Sequence, residues 1–193
     1  MLNTQPLIVN IDMTCDTWGP CHRTSKVFPH HTISIRPIDA SNDQEIELVA
    51  NRMRATLVEV IGEKGQNMYT PEWLRNRVRW HLCENQCIGR VFLAVDSTGA
   101  IIGHIIARVE DASTMEPVGL VSTIYVCPPF RRRGVAKALL EASEAWLMAQ
   151  QVATLATDTS ETNQPLIELF RQRGYAVTFH SLEKHMVRLS RTP

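Results

Sequence analysis

Between Gly119 and Gln151 the sequence reads GLVSTIYV, CPPF, RRRGVA and KALLEASEAWLMAQQ, and no other stretch restricts the fold as tightly. Leu120, Val121, Thr123, Ile124, Tyr125 and Val126 form a β-branched and aromatic run, which predicts a strand. Val135, Leu139, Ala142, Trp146 and Ala149 recur at spacings of four, three, four and three, which predicts a long amphipathic helix. A proline-punctuated turn and the run Arg131-Arg132-Arg133-Gly134-Val135-Ala136 join the two. The first N–H groups of a helix have no intrahelical partner and lie at the positive end of its dipole. Gly134 has no side chain to block close approach, and three arginines surround it. That combination suits a multiply charged phosphate group.

The pattern Arg131-x-x-Gly134-x-Ala136, after a strand ending Tyr125-Val126 and a proline, resembles the acyl-CoA-binding motif of the Gcn5-related N-acetyltransferase (GNAT) family. The family signature is Arg or Gln, two residues, Gly, one residue, then Gly or Ala. Six residues with three fixed positions carry little alone; the strand before and the helix after supply the specificity. A Walker-type nucleotide loop does not fit, because no Gly-Lys-Ser/Thr follows. The resemblance covers about residues 32–191, and it divides the chain into an N-terminal extension, 1–31, and an acetyltransferase domain, 32–193.

Composition agrees with one such domain. The chain has 193 residues, 44% of them apolar, which suffices for a substantial core. Its formal net charge is zero, so a strongly basic nucleic-acid surface is not expected. The apolar run Ile101–Val109 is broken by Gly103, His104 and Arg108, and no run reaches membrane-spanning length. The first residues show no basic segment followed by a sustained apolar one, so no signal peptide is expected. The five cysteines, Cys15, Cys21, Cys83, Cys87 and Cys127, are odd in number and irregular in spacing, which points to a reducing, cytoplasmic setting and not to a disulfide framework. Cys15, Cys21, His22, His30 and His31 carry potential metal donors, but not at a zinc-binding spacing, so no metal is expected.

From residue 32 the elements follow in order. Thr32–Pro37 alternates as a short strand. Ser41-Asn42-Asp43 offers a helix start, with Ile46, Val49, Met53, Leu57 and Ile61 on one face. Thr70-Pro71-Glu72 starts a second helix, followed by Trp73, Val78, Trp80 and Leu82. Arg90–Val95, the turn Asp96–Gly99 and Ala100–Glu110 read as a hairpin, with Ile101, Gly103, Ile105, Ala107 and Val109 on one face and His104 on the other beside Ile102 and Ile106. His104 is more often structural than catalytic in such a place. The loop 110–118 is acidic, through Glu110, Asp111 and Glu116. Val152–Thr157 is a further strand, Pro165–Arg173 a helix stopped by Gly174, and 176–179 with 185–189 a closing hairpin. The order β-α-α-β-β-β-α-β-α-β-β is that of an α/β fold of mixed α+β type. The resemblance implies a twisted mixed sheet of about seven strands flanked by about four helices.

The resemblance also implies the chemistry: acetyl transfer from acetyl-CoA to a primary amine, by direct attack on the thioester. The pantetheine arm would lie where the fourth and fifth strands part, along Ile124, Tyr125 and Val126, with a backbone N–H near Val126 polarising the carbonyl. The pyrophosphate would rest on Arg131, Arg132, Arg133, Gly134, Val135 and Ala136. Asn163, at the last helix start, matches a family position that bonds the cofactor arm, and is equally placed as an N-cap. Two departures stand out. Phe170 occupies the place of a tyrosine that protonates the departing thiolate, which leaves Ser160, Tyr175 or water as donor. Ser122 occupies the place of a glutamate base, which leaves Glu110, Asp111 or bulk water to take the proton of an amine with pKa about 10.4. The implied partners are acetyl-CoA and an amine acceptor (a small molecule, an aminoglycoside or a protein amine), with the protein a monomer or homodimer and neither nucleic acid nor membrane involved. The alternative is a non-catalytic acyl-CoA-binding or regulatory module.

Overall fold

A computed structural model describes residues 33–113, 116–161 and 163–178. The N-terminal extension 1–31, with its cysteine and histidine donors, therefore lies outside the described residues.

Five strands form one sheet in the order β1-β2-β3-β4-β5. They are β1 (Ser34–Pro37), β2 (Gly89–Val95), β3 (Ile101–Glu110), β4 (Val118–Val126) and β5 (Thr154–Thr157). β1 to β4 are antiparallel neighbours, and β5 joins β4 in parallel. The helices are α1 (Asp43–Ile61), α2 (Glu63–Met68), α3 (Pro71–Leu82), α4 (Val135–Ala149) and α5 (Gln164–Arg171). The mixed α/β architecture is the one expected, with five strands described where about seven were expected. Of the closing hairpin, 179 and 185–189 lie outside the described residues, and 176–178 join no strand.

The additional helix is α2. Gly62 adopts φ 63°, its N–H bonds the Val58 carbonyl, and the chain restarts as a helix at Glu63. Gly65 permits the tight turn back, because a Cβ there would stand 2.2 Å from the Leu57 carbonyl oxygen.

Two apolar layers cover the sheet. Ile46, Val49, Met53 and Leu57 of α1, with Leu74 and Val78 of α3, pack on Val91, Leu93 and Ile106. Val135, Leu139, Leu140 and Leu147 of α4 pack with Ile105, Ala107, Val121, Ile124 and Val126 on the opposite face. Each such side chain stabilises the fold by about 1.5–3 kcal/mol when taken fully out of water. A bidentate ion pair pins the start of α1 to β1: Arg36 Nη2 donates to Glu45 Oε1 at 2.6 Å and Nη1 to Oε2 at 3.1 Å.

Three expected faces are corrected. In β3 a register shift between Ala94 and Val95 turns Ile101 toward α1 and Ile102 toward α4, so simple alternation fails at that end. In α3 the buried stripe is Leu74, Arg77, Val78 and His81, whereas Trp73, Trp80 and Leu82 are only half-buried. In α4, Ala149 is exposed and Ala142 and Trp146 are half-buried, while Leu140, Ser143, Glu144 and Leu147 join Val135 and Leu139 inside.

Gly103 sets how closely α4 approaches the sheet. A Cβ there would stand 2.8 Å from the Tyr125 carbonyl oxygen and 3.1 Å from Leu139 Cδ1. Backbone on one side and a packed helix on the other leave little room to yield. Gly103→Ala is expected to destabilise the protein by about 1–3 kcal/mol, measured by chemical denaturation; unchanged stability would mean that α4 shifts freely on its bed.

Candidate functional site

β4 and β5 pair from Val118↔Thr154 to Val121↔Thr157, and no further. Ser122 is an extra residue in β4, since Ile106 faces Thr123 while Ala107 faces Val121. This bulge bends β4 at the point where its partner ends. From Ser122 to Val126 the strand runs on without a β5 neighbour among the described residues. Ile124 and Val126 bury their side chains at 1% and 4% exposure, so what they offer the gap is backbone.

The chain then turns through Cys127 and a single 3-10 turn, Pro128–Phe130, into the arginine loop. Arg132 has φ 60° and Gly134 φ 82°, so two left-handed residues shape the entry to α4. Gly134 is the N-cap, and no side chain caps the helix. A Cβ on Gly134 would meet nothing within 4 Å, so the space above the first helical N–H groups is open. Val135 is buried beneath and Ala136 half-buried.

The arginines divide their work in a way that the sequence did not reveal. Arg131 gives Nη1 and Nη2 to the two carboxylate oxygens of Glu59 on α1, at 2.8 and 3.0 Å, and Nε to the Val126 carbonyl at 3.0 Å. It is a clamp between α1, the end of β4 and the loop. Arg132 and Arg133 are exposed, with Arg133 over the Phe130 ring at 5.7 Å. Glu59 lies 72 residues from its partner in the chain, and nothing local signals the pairing.

After β5, Asn163 sits at the start of α5 at 1% exposure. Its side chain makes no cap bond, and neither Oδ1 nor Nδ2 has a hydrogen-bond partner. Ser160 lies in the preceding turn, its carbonyl accepting from the Asn163 N–H at 2.9 Å. Phe170 is 3% exposed in the core beside α4, with Tyr175 edge-on at 4.8 Å. The Tyr175 hydroxyl is buried, and burial first, then the Glu144 carboxylate, hold the phenol well above its ordinary range. Glu144 is itself taken by Arg173. Tyr175 thus belongs to the packing of α4 on α5.

On the sheet face under α1 and α3, Arg108 is 2% exposed and bridges two expected residues. Its Nη1 donates to Ser122 Oγ at 2.7 Å, and its Nε and Nη2 to Glu110 Oε1. Glu110 keeps about 40% of its side chain in solvent. The bulge residue and the candidate base are therefore joined through one guanidinium. Both line or adjoin a groove of about 540 Å³ that also includes Arg77, Trp80, Cys87 and Asp111. Cys87 Sγ stands 3.8 Å from His81 Nδ1. Burial pushes the Cys87 thiol up to about 11 and holds His81 well below its usual range, so this is no thiolate–imidazolium pair. Arg77 and His81 were missed in the sequence, although with Leu74 and Val78 they complete a helical stripe at spacings of three, one and three.

His104 is fully buried, stacked on Tyr125 at 5.9 Å, with both ring nitrogens unpartnered. Arg52 reaches over the same tyrosine ring at 5.3 Å and donates to the Ile101 carbonyl at 2.6 Å. Among the described residues no group of three or more His, Cys, Asp or Glu side chains could hold a metal ion, and no helix is long and apolar enough to cross a membrane. Cys83, Cys87 and Cys127 are free thiols.

This geometry agrees with what the sequence resembles elsewhere. The Acetyltransferase (GNAT) family profile matches residues 55–175, more than half of the chain, and the protein belongs to that family. Curated relatives include the aminoglycoside N(6')-acetyltransferases type 1 of Salmonella typhimurium and Salmonella enteritidis, each 33% identical over 86 residues, which is 45% of this chain and 57% of theirs. The match thus spans little more than half the length of those relatives. Similar solved structures include the aminoglycoside acetyltransferase AAC(6')-Iy bound to the bisubstrate analogue CoA-S-monomethyl-acetylneamine, at 20% identity and TM-score 0.58 over 80% of this chain and 98% of that one. AAC(6')-Ih from Acinetobacter baumannii aligns with TM-score 0.59 at 19% identity, over 80% of this chain and 98% of that one. At such identities the likeness establishes the fold.

Burial, and secondarily Arg52, lowers His104 to about 3. The folded state therefore binds fewer protons than the unfolded one between about 3 and the ordinary 6.5, and stability must fall as pH falls through that window. Replacing His104 by Phe is expected to flatten the acid limb of the stability profile, measured by denaturation from pH 7 to 4. An unaltered slope would show that His104 is not held neutral in the fold.

Proposed function

We propose that the protein is an acetyl-CoA-dependent N-acetyltransferase acting on a small-molecule primary amine. One observation carries this reading: β4 loses its β5 partner after Val121 and leads, through the turn at Pro128–Phe130, to the left-handed Gly134 at the head of α4. An extended arm laid in the gap would add its amides to the free strand edge at 122–126, as a further strand does. Its pyrophosphate would meet the uncapped N–H groups around Gly134, Val135 and Ala136, with Arg132 and Arg133 adding charge. Arg131 serves this site by fixing the loop, since its guanidinium is engaged by Glu59 and Val126.

In the transfer step the nitrogen lone pair forms the new C–N bond as the thioester C–S bond breaks. CoA leaves as thiolate, and a proton lost by the amine balances the one it takes up. A thiol with pKa about 8.5 is a tolerable leaving group without a tyrosine, so Phe170 does not preclude turnover. A backbone N–H near Val126 would stabilise the oxyanion. We assign Glu110, half-buried and joined through Arg108 to Ser122, to the acceptor side, where it or a water beside it takes the amine proton. Ser160 or a water is left as donor to sulfur, because the Tyr175 hydroxyl is buried beside Glu144. The curated relatives support an amine acceptor of small size. The rival, a non-catalytic acyl-CoA-binding module, is favoured by Phe170 and Ser122; thiol release from acetyl-CoA with a panel of amines separates the two, since the rival releases none.

Asn163 provides a sharper check. An N-cap truncated to alanine costs about 1 kcal/mol, whereas Asn163 makes no cap bond and has both polar atoms buried and unpaired. Asn163→Ala is therefore expected to leave stability unchanged or raised and to weaken acetyl-CoA binding by about tenfold. Calorimetric titration and thermal unfolding measure the two effects; a stability loss with normal affinity would return Asn163 to a capping role.

A further inference from the structure

Arg77 is a buried charge that has no ion-pair partner among the described residues. It projects from α3 at 7% exposure and lines the groove of about 540 Å³ beside β3. Its Nε has no hydrogen-bond partner, and it enters no ion pair among the described residues. The guanidinium carbon lies over the Trp80 ring, 4.1 Å from its centroid. The neighbouring cation is Arg108, at 2% exposure, and it has already taken Glu110. The inner wall thus carries two guanidiniums, Arg77 and Arg108, against one carboxylate, Glu110. The other acids of the groove, Glu84 and Asp111, are exposed at its rim.

A buried guanidinium without a counter-ion is costly, and its planar fork is matched by an oxyanion bound in two places. The groove volume is that of a small-molecule site and far too small for a folded partner. Through Arg108 and Ser122 the same groove adjoins the β4 bulge, where β4 parts from β5. We infer that the groove seats the acetyl acceptor and that Arg77 binds a carboxylate on it, so that the substrate is an amine that also carries an acid group, of amino-acid type. This assignment rests on the acetyl-transfer reading and narrows its acceptor. The exposed acids at the rim favour the ammonium end of the same molecule. A purely polycationic amine would leave Arg77 unmatched and place further positive charge beside two arginines.

The test uses the full-length protein and pairs of amines that differ by one carboxylate: lysine with cadaverine, and ornithine with putrescine. An aminoglycoside serves as the polycationic arm. Thiol release from acetyl-CoA gives kcat and KM, and calorimetry gives acetyl-CoA affinity and, separately, binding of each amine. The carboxylated member of each pair is expected to show kcat/KM at least about tenfold higher. Arg77→Met is expected to raise KM for that member by about tenfold or more, to leave KM for its decarboxylated twin unchanged or lowered, and to leave acetyl-CoA affinity unchanged. Arg77→Lys, which keeps the charge and loses the fork, should recover part of the difference and serves as the folded control, with thermal unfolding of each variant alongside. Equal use of both members of a pair, preference for the aminoglycoside, or equal effects of Arg77→Met on both members would overturn the inference. Absence of carboxylate-dependent binding in a protein that binds acetyl-CoA would overturn it as well. Failure to bind acetyl-CoA at all would instead remove the acetyl-transfer reading beneath it.

Discussion

β4 has a parallel partner for four residues, Val118 to Val121, and then continues to Val126 with none described. A sheet edge presents N–H and C=O groups that must be met by protein, water or ligand. Here the edge opens where β5, the last strand of the described order, stops, and the side chains of Ile124 and Val126 along it are buried. The bulge at Ser122 keeps β4 paired with β3 while bending it at the point where β5 ends. Everything proposed for the site is placed by this separation: the backbone it exposes, the loop to which it leads, and the groove reached through Arg108.

The loop is fixed by charge as much as by packing. Arg131 ties α1 to the end of β4 through a bidentate contact with Glu59, and its Nε holds the Val126 carbonyl. Exposed ion pairs contribute little, but the Arg131 side chain is only 16% exposed and donates through Nε as well as Nη1 and Nη2. With Arg131 engaged, the proposed binding of an anion rests on the N–H groups at the head of α4 and on Arg132 and Arg133. Family resemblance alone points to the arginine of the motif; the structure shows that its guanidinium is already engaged.

How much of this was readable in the sequence depended on the distance over which each signal acts. Local signals survived well: Asn42 accepts from Gln44 and Glu45, Thr70 from Trp73, Asp96 closes its turn through Thr98 and Ala100, and Gly99, Gly134 and Gly174 all adopt positive φ. The apolar stripe of α1 held from Ile46 to Leu57, failing only at exposed Ile61. Signals that depend on register did not survive. The shift at Ala94 and Val95 reassigned Ile101 and Ile102, and the bulge at Ser122 leaves no trace in composition. In α3 the aromatic residues drew attention to the wrong face, because Arg77 and His81 were counted as polar when tertiary packing had buried them. The site was legible as a loop and a strand; Glu59, which ties the loop to α1, lies 72 residues from Arg131, and Arg108, which joins Ser122 to Glu110, is set by the β3–β4 register.

The central claim is that acetyl-CoA binds with its pyrophosphate on the backbone amides at Gly134. Calorimetric titration of acetyl-CoA into the wild-type protein and Gly134→Val, with thermal unfolding of both without ligand, tests it most directly. A β-branched side chain at φ 82° strains the loop and projects into the open space above the helix. The account predicts saturable binding to the wild type and affinity lower by about a hundredfold or more in a folded variant. Normal affinity in a Gly134→Val protein that remains folded would contradict it.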